Sequence, residues 1–580
     1  MSESRRVRRR ARTRTLAVAV LIAASPQLAG CGLFGDGEDP ADQARGVADE
    51  FLRTWSAGVP ASAAAVTDNP TAAEQALTTT MENLGLPASS MESGEPVENE
   101  DGSFTVPFTV RMSFPTGPDA GAEAEADASA SPSDGAADAS TDAAASPSAD
   151  ASGAADAGEV VTWEYTSELT VVETDGGEGE RQIVWDPTVI HPELTDSTVL
   201  RLSEEEAEPA DVLDRDGQTF DGAAPALVGY DGSGGLTARY ADQLAGRSAT
   251  AVELADRASE ETQETLFEIS EATPGTPVQT TIDAEVQGAA EAALEDVEVN
   301  AALVALDATN GEVLAVANNP ASGFNRALEG RYPPGSDFKV ITAAALLQAG
   351  VTPSTPVECP RTVTVNGQSF ENQDEFVLED GSTFRDNFAN SCNTGIISLR
   401  DRLSEDALTN TAAQFGIGAV WEVGAATFDG SVPVPGSPNE LAANMIGQGT
   451  VEASPLVMAS VAATVRSGAF HQPVVVPDAV ENPHEVEPLD PTLAGQLREL
   501  MGAVVTEGSG EALRGLPGEV GAKTGTAEFG TENPPRTHAW MIGYQDDVAF
   551  AVLLEDGGSG GRDAGPVARA FLDELATARN

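Results

Sequence analysis

Between residues 116 and 158 the chain is almost wholly Ala, Asp, Ser, Gly, Glu, Pro and Thr. Such a tract has too few large apolar side chains to offset the entropy lost on ordering, so it cannot build a core. Sheet sequence stands on both sides of it. Phe104, Val106, Phe108, Val110, Met112 and Phe114 alternate without a break, and Val161, Trp163 and Tyr165 resume the alternation. A period of two marks a strand with one buried face. The tract is therefore predicted to be a disordered insertion within a hairpin, not a boundary between domains. Pro107 has no N–H to give a neighbour and predicts an edge position for the first strand.

The N-terminus has the opposite composition. Arg5, Arg6, Arg8, Arg9, Arg10, Arg12 and Arg14 precede an apolar run from Leu16 to Ala24, which ends at Leu28-Ala29-Gly30-Cys31. Basic cluster, short apolar stretch and small-residue site describe an export signal, and the run is short for a bilayer. Leu-Ala-Gly-Cys resembles the bacterial lipobox, which implies acylation of Cys31. An ordinary cleaved signal and an uncleaved anchor are the alternatives. Elsewhere the chain is strongly acidic, with 93 Asp plus Glu against 31 Lys plus Arg and a net charge of -62. That balance repels nucleic acid and argues against it as a partner. Cys359 and Cys392 are the other cysteines. In an exported chain they are either a disulfide or two buried thiols.

The 580 residues exceed one ordinary domain. Residues 1–30 read as signal peptide and 31–42 as a Gly, Asp and Pro rich tether. An N-terminal domain over 43–195 opens with a helix carrying Val47, Phe51, Leu52 and Trp55. A loop-rich linker domain covers 196–275. From 276 to 580 the pattern is α+β. Asp283 caps a helix, Asn310-Gly311 joins strands 302–307 and 312–317, Val548–Leu554 is a strand, and Pro566 opens a last helix.

Three short motifs in this last region carry chemistry. Ser336 and Lys339, three apart in Pro334-Gly335-Ser336-Asp337-Phe338-Lys339, share a face at the start of an apolar helix. A serine hydroxyl needs a base to become a nucleophile, and a lysine serves only if burial or a nearby cation lowers its pKa. Ser391-Cys392-Asn393 offers a hydroxyl to pass a proton from Lys339 to a leaving amine, and an amide to hold Lys339. Lys523-Thr524-Gly525-Thr526 reads as a strand at the edge of a cleft. Lys523 and Thr524 would meet a terminal carboxylate, Gly525 would allow close approach of a ligand backbone, and the N–H groups of Thr526 and Ser336 would form an oxyanion hole.

Together the three motifs resemble those of the β-lactam-acylated serine enzymes. Thr281-Ile282-Asp283, Gly447-Gln448-Gly449 and Ala453-Ser454-Pro455-Leu456 extend the match. The sequence resembles class B penicillin-binding proteins, of the methicillin-resistance type, strongly over roughly 275–578 and moderately before that. Val189-Ile190-His191-Pro192-Glu193-Leu194 is similar to the end of that type's nuclear-transport-factor-like domain, and Tyr240–Gly246 to its linker, which is of a dimerisation type. The resemblance implies a penicillin-recognising serine transpeptidase fold, an antiparallel sheet with helices on both faces. It also implies acyl transfer between peptidoglycan stem peptides, capture by β-lactams, no cofactor or metal, and a SEDS-type glycosyltransferase as a partner. It places the enzyme on the outer face of the cell membrane. Two rivals share the motifs: a D,D-carboxypeptidase or β-lactamase, for which Glu440 is the candidate water-activating group, and a non-catalytic sensor or wall scaffold. Gly557-Gly558-Ser559-Gly560-Gly561 fits a nucleophile-elbow pattern, but no histidine follows it. It reads as a glycine-rich turn, and His191, His471 and His484, which lack metal-ligand spacing, read as structural.

Overall fold

The computed structural model describes residues 39–116, 160–174, 180–230, 232, 234–531 and 535–579. The predicted signal, Cys31 and residues 117–158 of the predicted insertion lie outside these. Among the described residues no helix is long and apolar enough to cross a membrane. The chain divides into two compact units, one ending at Leu202 but including Val252–Ile269, the other comprising Ser203–Ala251 and Ser270 onward.

In the first unit, Asp39 caps a helix over Pro40–Ser56 that buries Ala44, Ala48, Phe51, Leu52 and Trp55. These residues return every three or four positions and so fall on one face. They meet the apolar side of an antiparallel sheet ordered Ala88–Ser93, Phe104–Pro115, Val160–Glu173, Arg181–Val184, with Val97–Glu98 also on Phe104–Pro115. Pro115 pairs with Val160, so the compositionally biased tract joins the arms of one hairpin. The edge position expected from Pro107 is corrected. The Phe104–Pro115 strand is central, and the strand beside it is interrupted opposite the proline, between Ser93 and Val97. Gly94 N donates to Pro107 O there, so the missing N–H of Pro107 falls at a break in the ladder.

The second unit is built on a five-stranded antiparallel sheet ordered Val313–Asn319, Ala301–Asp307, Val548–Leu554, Arg536–Gln545, Val520–Phe529. Its central strand, Val548–Leu554, is apolar at every position, its neighbours are apolar over most of their length, and parity sorts the side chains to two faces. Ala302, Val304 and Leu306 join the core that holds helices Lys339–Gln348, Pro455–Ser467 and Pro491–Thr506. Ala301, Leu303 and Ala305 join the core that holds Ala284–Leu294 and Gly565–Ala578. Asp283 caps the helix it was expected to cap, accepting from Glu285 N and Val286 N. The stretch 196–275, expected as one linker domain, is divided between the units. Its Ser203–Ala251 part buries Phe220, Leu227, Leu236 and Leu244 in the same core as the sheet, and Tyr240 donates to Gly424 O at 2.7 Å.

Candidate active site

Ser336 lies half-buried in a 3-10 turn, Gly335–Phe338, that leads into the helix Lys339–Gln348. This tightens the start of the expected α-helix. The turn sits directly on the Val520–Phe529 strand. Gly335 has φ +56°, and a Cβ there would lie 2.5 Å from Thr526 O, so only glycine fits. Its N–H donates to Gly447 O at 2.9 Å. From Lys339 to Leu347 the helix is buried at every position, which carries Lys339 into the interior with no exposure.

Lys339 Nζ donates to Asn393 Oδ1 at 2.6 Å and Ser391 O at 2.7 Å, and lies 3.4 Å from Ser391 Oγ. Lys523 Nζ donates to the same Ser391 Oγ at 2.9 Å and to Thr524 O at 2.7 Å. One hydroxyl therefore stands between two buried amines. Ser391 reaches this place through a left-handed backbone, φ +58°, just beyond the helix Phe384–Ala389. A non-glycine residue pays about 1–3 kcal/mol for such a conformation, which persists only where surroundings enforce it. Cys392 N, bonded to Asn387 O, and the Cys359–Cys392 disulfide hold the turn. Of the two alternatives for these cysteines, the structure has the bonded one. Asn393 is fixed at both ends, its Nδ2 donating to Glu371 O at 2.9 Å while its Oδ1 takes Lys339.

The Val520–Phe529 strand is the sheet's edge, with Arg536–Gln545 on its inner side. Thr524 Oγ1 is 2.6 Å from Ser509 Oγ, and Thr526 Oγ1 accepts from Gly560 N at 3.3 Å. Gly525 is required by the protein itself. A Cβ there would lie 2.8 Å from Pro334 O and 2.9 Å from both Asp337 Cγ and Trp540 Cβ. Thus Lys339, Ser391, Asn393 and Lys523 are joined by hydrogen bonds, and Ser336, Thr524, Gly525 and Thr526 by the seating of the turn on the strand. Cys31 is outside the described residues. Sequence reasoning passed over three residues. Ser509 partners Thr524. Asn372 Oδ1 takes Asn393 N at 2.9 Å and Thr394 N at 3.1 Å, locking the Ser391 turn. Asp337 is buried beside both lysines. A carboxylate inside an apolar Ser-x-x-Lys turn was a signal available in the sequence.

Burial dominates the electrostatics. It pushes Lys339 well below the usual lysine range, and the charge of Lys523 pushes the same way, while Asp337 opposes both. Burial brings Lys523 down to about 8, with Asp337 again opposing. Burial raises the Asp337 carboxyl, against the pull of Lys523 and Lys339. Burial and the charge of Lys523 both disfavour the ammonium form of Lys339, which suits it to act as a base. Among the described residues no three His, Cys, Asp or Glu side chains converge as metal ligands would. Glu440 is tied to Gly436 N at 2.9 Å and Thr450 Oγ1 at 3.0 Å, as a helix N-terminal residue.

Residues 301–573 match the penicillin binding protein transpeptidase domain, and residues 43–134 the NTF2-like N-terminal transpeptidase domain. Peptidoglycan D,D-transpeptidase PbpA of Mycobacterium tuberculosis is 31% identical over 362 residues, 52% of this chain and 72% of that protein. This chain belongs to the class B penicillin-binding proteins. PbpA of Mycolicibacterium smegmatis is 32% identical over 371 residues, 51% of this penicillin-binding protein and 72% of the relative. The fold is shared with the D,D-transpeptidase domain of a peptidoglycan glycosyltransferase from Eggerthella lenta. That structure has a TM-score of 0.53 at 22% identity, covering 65% of this chain and 100% of that one. The NTF2-like domain places this penicillin-binding protein among the monofunctional transpeptidases that carry one.

Proposed function

We propose that the chain cross-links peptidoglycan outside the cell as a D,D-transpeptidase, with Ser336 as acyl acceptor. The observation that carries this is the Ser391 hydroxyl placed between Lys339 and Lys523. An uncharged Lys339 has two N–H groups, both occupied by Ser391 O and Asn393 Oδ1, which leaves its lone pair for a proton. It takes the Ser336 proton as Oγ attacks the carbonyl of the penultimate D-alanine of a stem peptide. The oxyanion is met by the N–H groups of Ser336 and Thr526. As the C–N bond breaks, the proton passes through Ser391 to the departing D-alanine amine. Lys523 and Thr524 hold the terminal carboxylate, and the open strand edge pairs with the peptide backbone. An amine of a neighbouring stem then attacks the ester, returning the proton along the same route. A β-lactam presents a similar carbonyl and carboxylate and is captured as a lasting ester.

The anchor completes this reading. Cys31, acylated after removal of the signal, would hold the enzyme on the outer face of the cytoplasmic membrane, near a SEDS-type glycosyltransferase. The Cys359–Cys392 bond supports an oxidising location. Incubation of purified protein with penicillin, followed by peptide mass spectrometry, tests the chemistry. A lasting adduct on Ser336 is expected. A rapidly lost adduct would mean a hydrolase, and none a sensor or scaffold. For the anchor, wild type should carry a lipidated N-terminal Cys31. A Cys31→Ala chain processed and membrane-bound like wild type would overturn it.

A further inference from the structure

Asn372 belongs to none of the three motifs, yet its side chain is tied at both ends. It is 1% exposed and directly follows the Gln368–Glu371 strand. Its Nδ2 donates to Phe376 O at 2.8 Å and to Pro360 O at 3.0 Å. Its Oδ1 accepts from Asn393 N at 2.9 Å and from Thr394 N at 3.1 Å. With carbonyls at one end and N–H groups at the other, the amide has one workable orientation, since turning it over would set oxygen against oxygen. The residue before it takes the Asn393 side chain, whose Nδ2 donates to Glu371 O at 2.9 Å. Residues 371 and 372 therefore grip Asn393 by side chain and main chain together. The other side-chain atom of Asn393, Oδ1, accepts from Lys339 Nζ at 2.6 Å. Ser391 has a left-handed backbone, and Cys392 is fixed by its N–H to Asn387 O and by the disulfide. Those ties stop at Cys392, and Asn372 carries the hold on to Asn393 and Thr394. Such a hold matters because a shift of about 1 Å at a reacting centre can cost about 10²-fold in rate.

We propose that Asn372 is a positioning residue for acylation: by accepting from the N–H groups of Asn393 and Thr394, it sets the place at which Asn393 Oδ1 holds the Lys339 amine. The proposal rests on the acylation chemistry argued above. The test is the reaction of penicillin with wild type, Asn372→Leu, Asn372→Ser, Asn372→Asp and Thr394→Val. The dissociation constant of the first complex and the acylation rate constant are measured separately, per titratable site. Leucine has no acceptor, and the serine hydroxyl is too short to reach both N–H groups. Both variants should lose about 10–100-fold in the rate constant. Their dissociation constants should stay within about twofold of wild type, because the ligand's carboxylate is met on the Val520–Phe529 strand. Aspartate keeps an acceptor for both N–H groups in either protonation state and gives up donors to Pro360 O and Phe376 O. Its melting temperature should fall while its rate constant stays within about fivefold of wild type. Thr394→Val removes a bond to the same Pro360 carbonyl, made by Thr394 Oγ1 at 2.6 Å, and leaves both N–H bonds in place. It should lower the melting temperature and change neither constant. Wild type that forms no adduct would overturn the acylation chemistry itself. Wild type that reacts, with leucine and serine variants as fast as it, would overturn the role of Asn372 alone. Equal losses of rate in these variants and Thr394→Val, or insoluble protein from both Asn372→Leu and Asn372→Ser, would overturn it in favour of packing.

Discussion

The Phe104–Pro115 strand alternates buried and open positions along its length, whereas Val548–Leu554 is buried at every one. The first sheet has one covered face and the second has two. The buried polar residues differ accordingly. In the first unit they are Thr54, Thr67, Thr80, Ser103, Ser167, His191 and Thr198, hydroxyls and one imidazole. His191 is held down to about 4 by burial, among the rings of Trp163 and Tyr165. In the second unit Asp337, Lys339 and Lys523 are all without exposure. A sheet sealed on both sides supplies the low-dielectric region in which a lysine becomes a base. A half-open sheet supplies a surface that accepts an insertion.

The comparison predicts very unequal effects for changes in the two units. Ser336→Ala should lose acylation by on the order of a million-fold, as for a nucleophile acting in concert with its base. A penicilloyl adduct on that variant would place the nucleophile elsewhere. Lys339→Arg fixes a positive charge where the base must be uncharged, and should cost about 10²–10⁴-fold in acylation rate. A near-normal rate would mean that the sealed sheet does not create the base. Ser391→Gly separates function from stability. Glycine accepts the left-handed backbone, so thermal stability should hold or rise, while loss of the shared hydroxyl should slow acylation by about 100-fold. A drop in melting temperature without a drop in rate would reverse that assignment. In the first unit, replacing residues 117–158 by a short turn should leave acylation unchanged. The shorter loop should add up to about 2 kcal/mol of stability, read by denaturant unfolding. Loss of soluble protein would show that the half-open sheet depends on the tract.

Local chemistry was legible in the sequence and long-range packing was not. Ser336, Lys339, Ser391, Asn393 and Lys523 stand out because each lies in a short motif whose side chains can be assigned tasks. Asn372 does not stand out, because most of its partners are main-chain groups, those of Pro360, Phe376, Asn393 and Thr394, gathered only by folding. Asp337 was in view, but its burial depends on packing against Gly525, which the fold brings from a distant strand. Pro107 shows the opposite error. The missing N–H was weighed as a property of the whole strand, when it constrains a single position that a break in the neighbour satisfies. The linker stretch misled for a similar reason. Turn-rich sequence suggested independence, yet its few apolar residues are spent on another core.

The placing of Val548–Leu554 in the middle of the sheet bears on the order in which this molecule is made. Ala301 is paired with Leu554, and Ala539 is paired with the same residue from the other side. Until the last strand has left the ribosome, the earlier part of the sheet is two separate hairpins, one bearing no motif and the other Lys523. Neither has its inner neighbour, and the Ser336 helix has no complete surface to close on. Pairings so distant along the chain form slowly. Assembly of the site is therefore a late, all-or-none event, and a chain cut short before Val548 would emerge with every catalytic residue present and no enzyme.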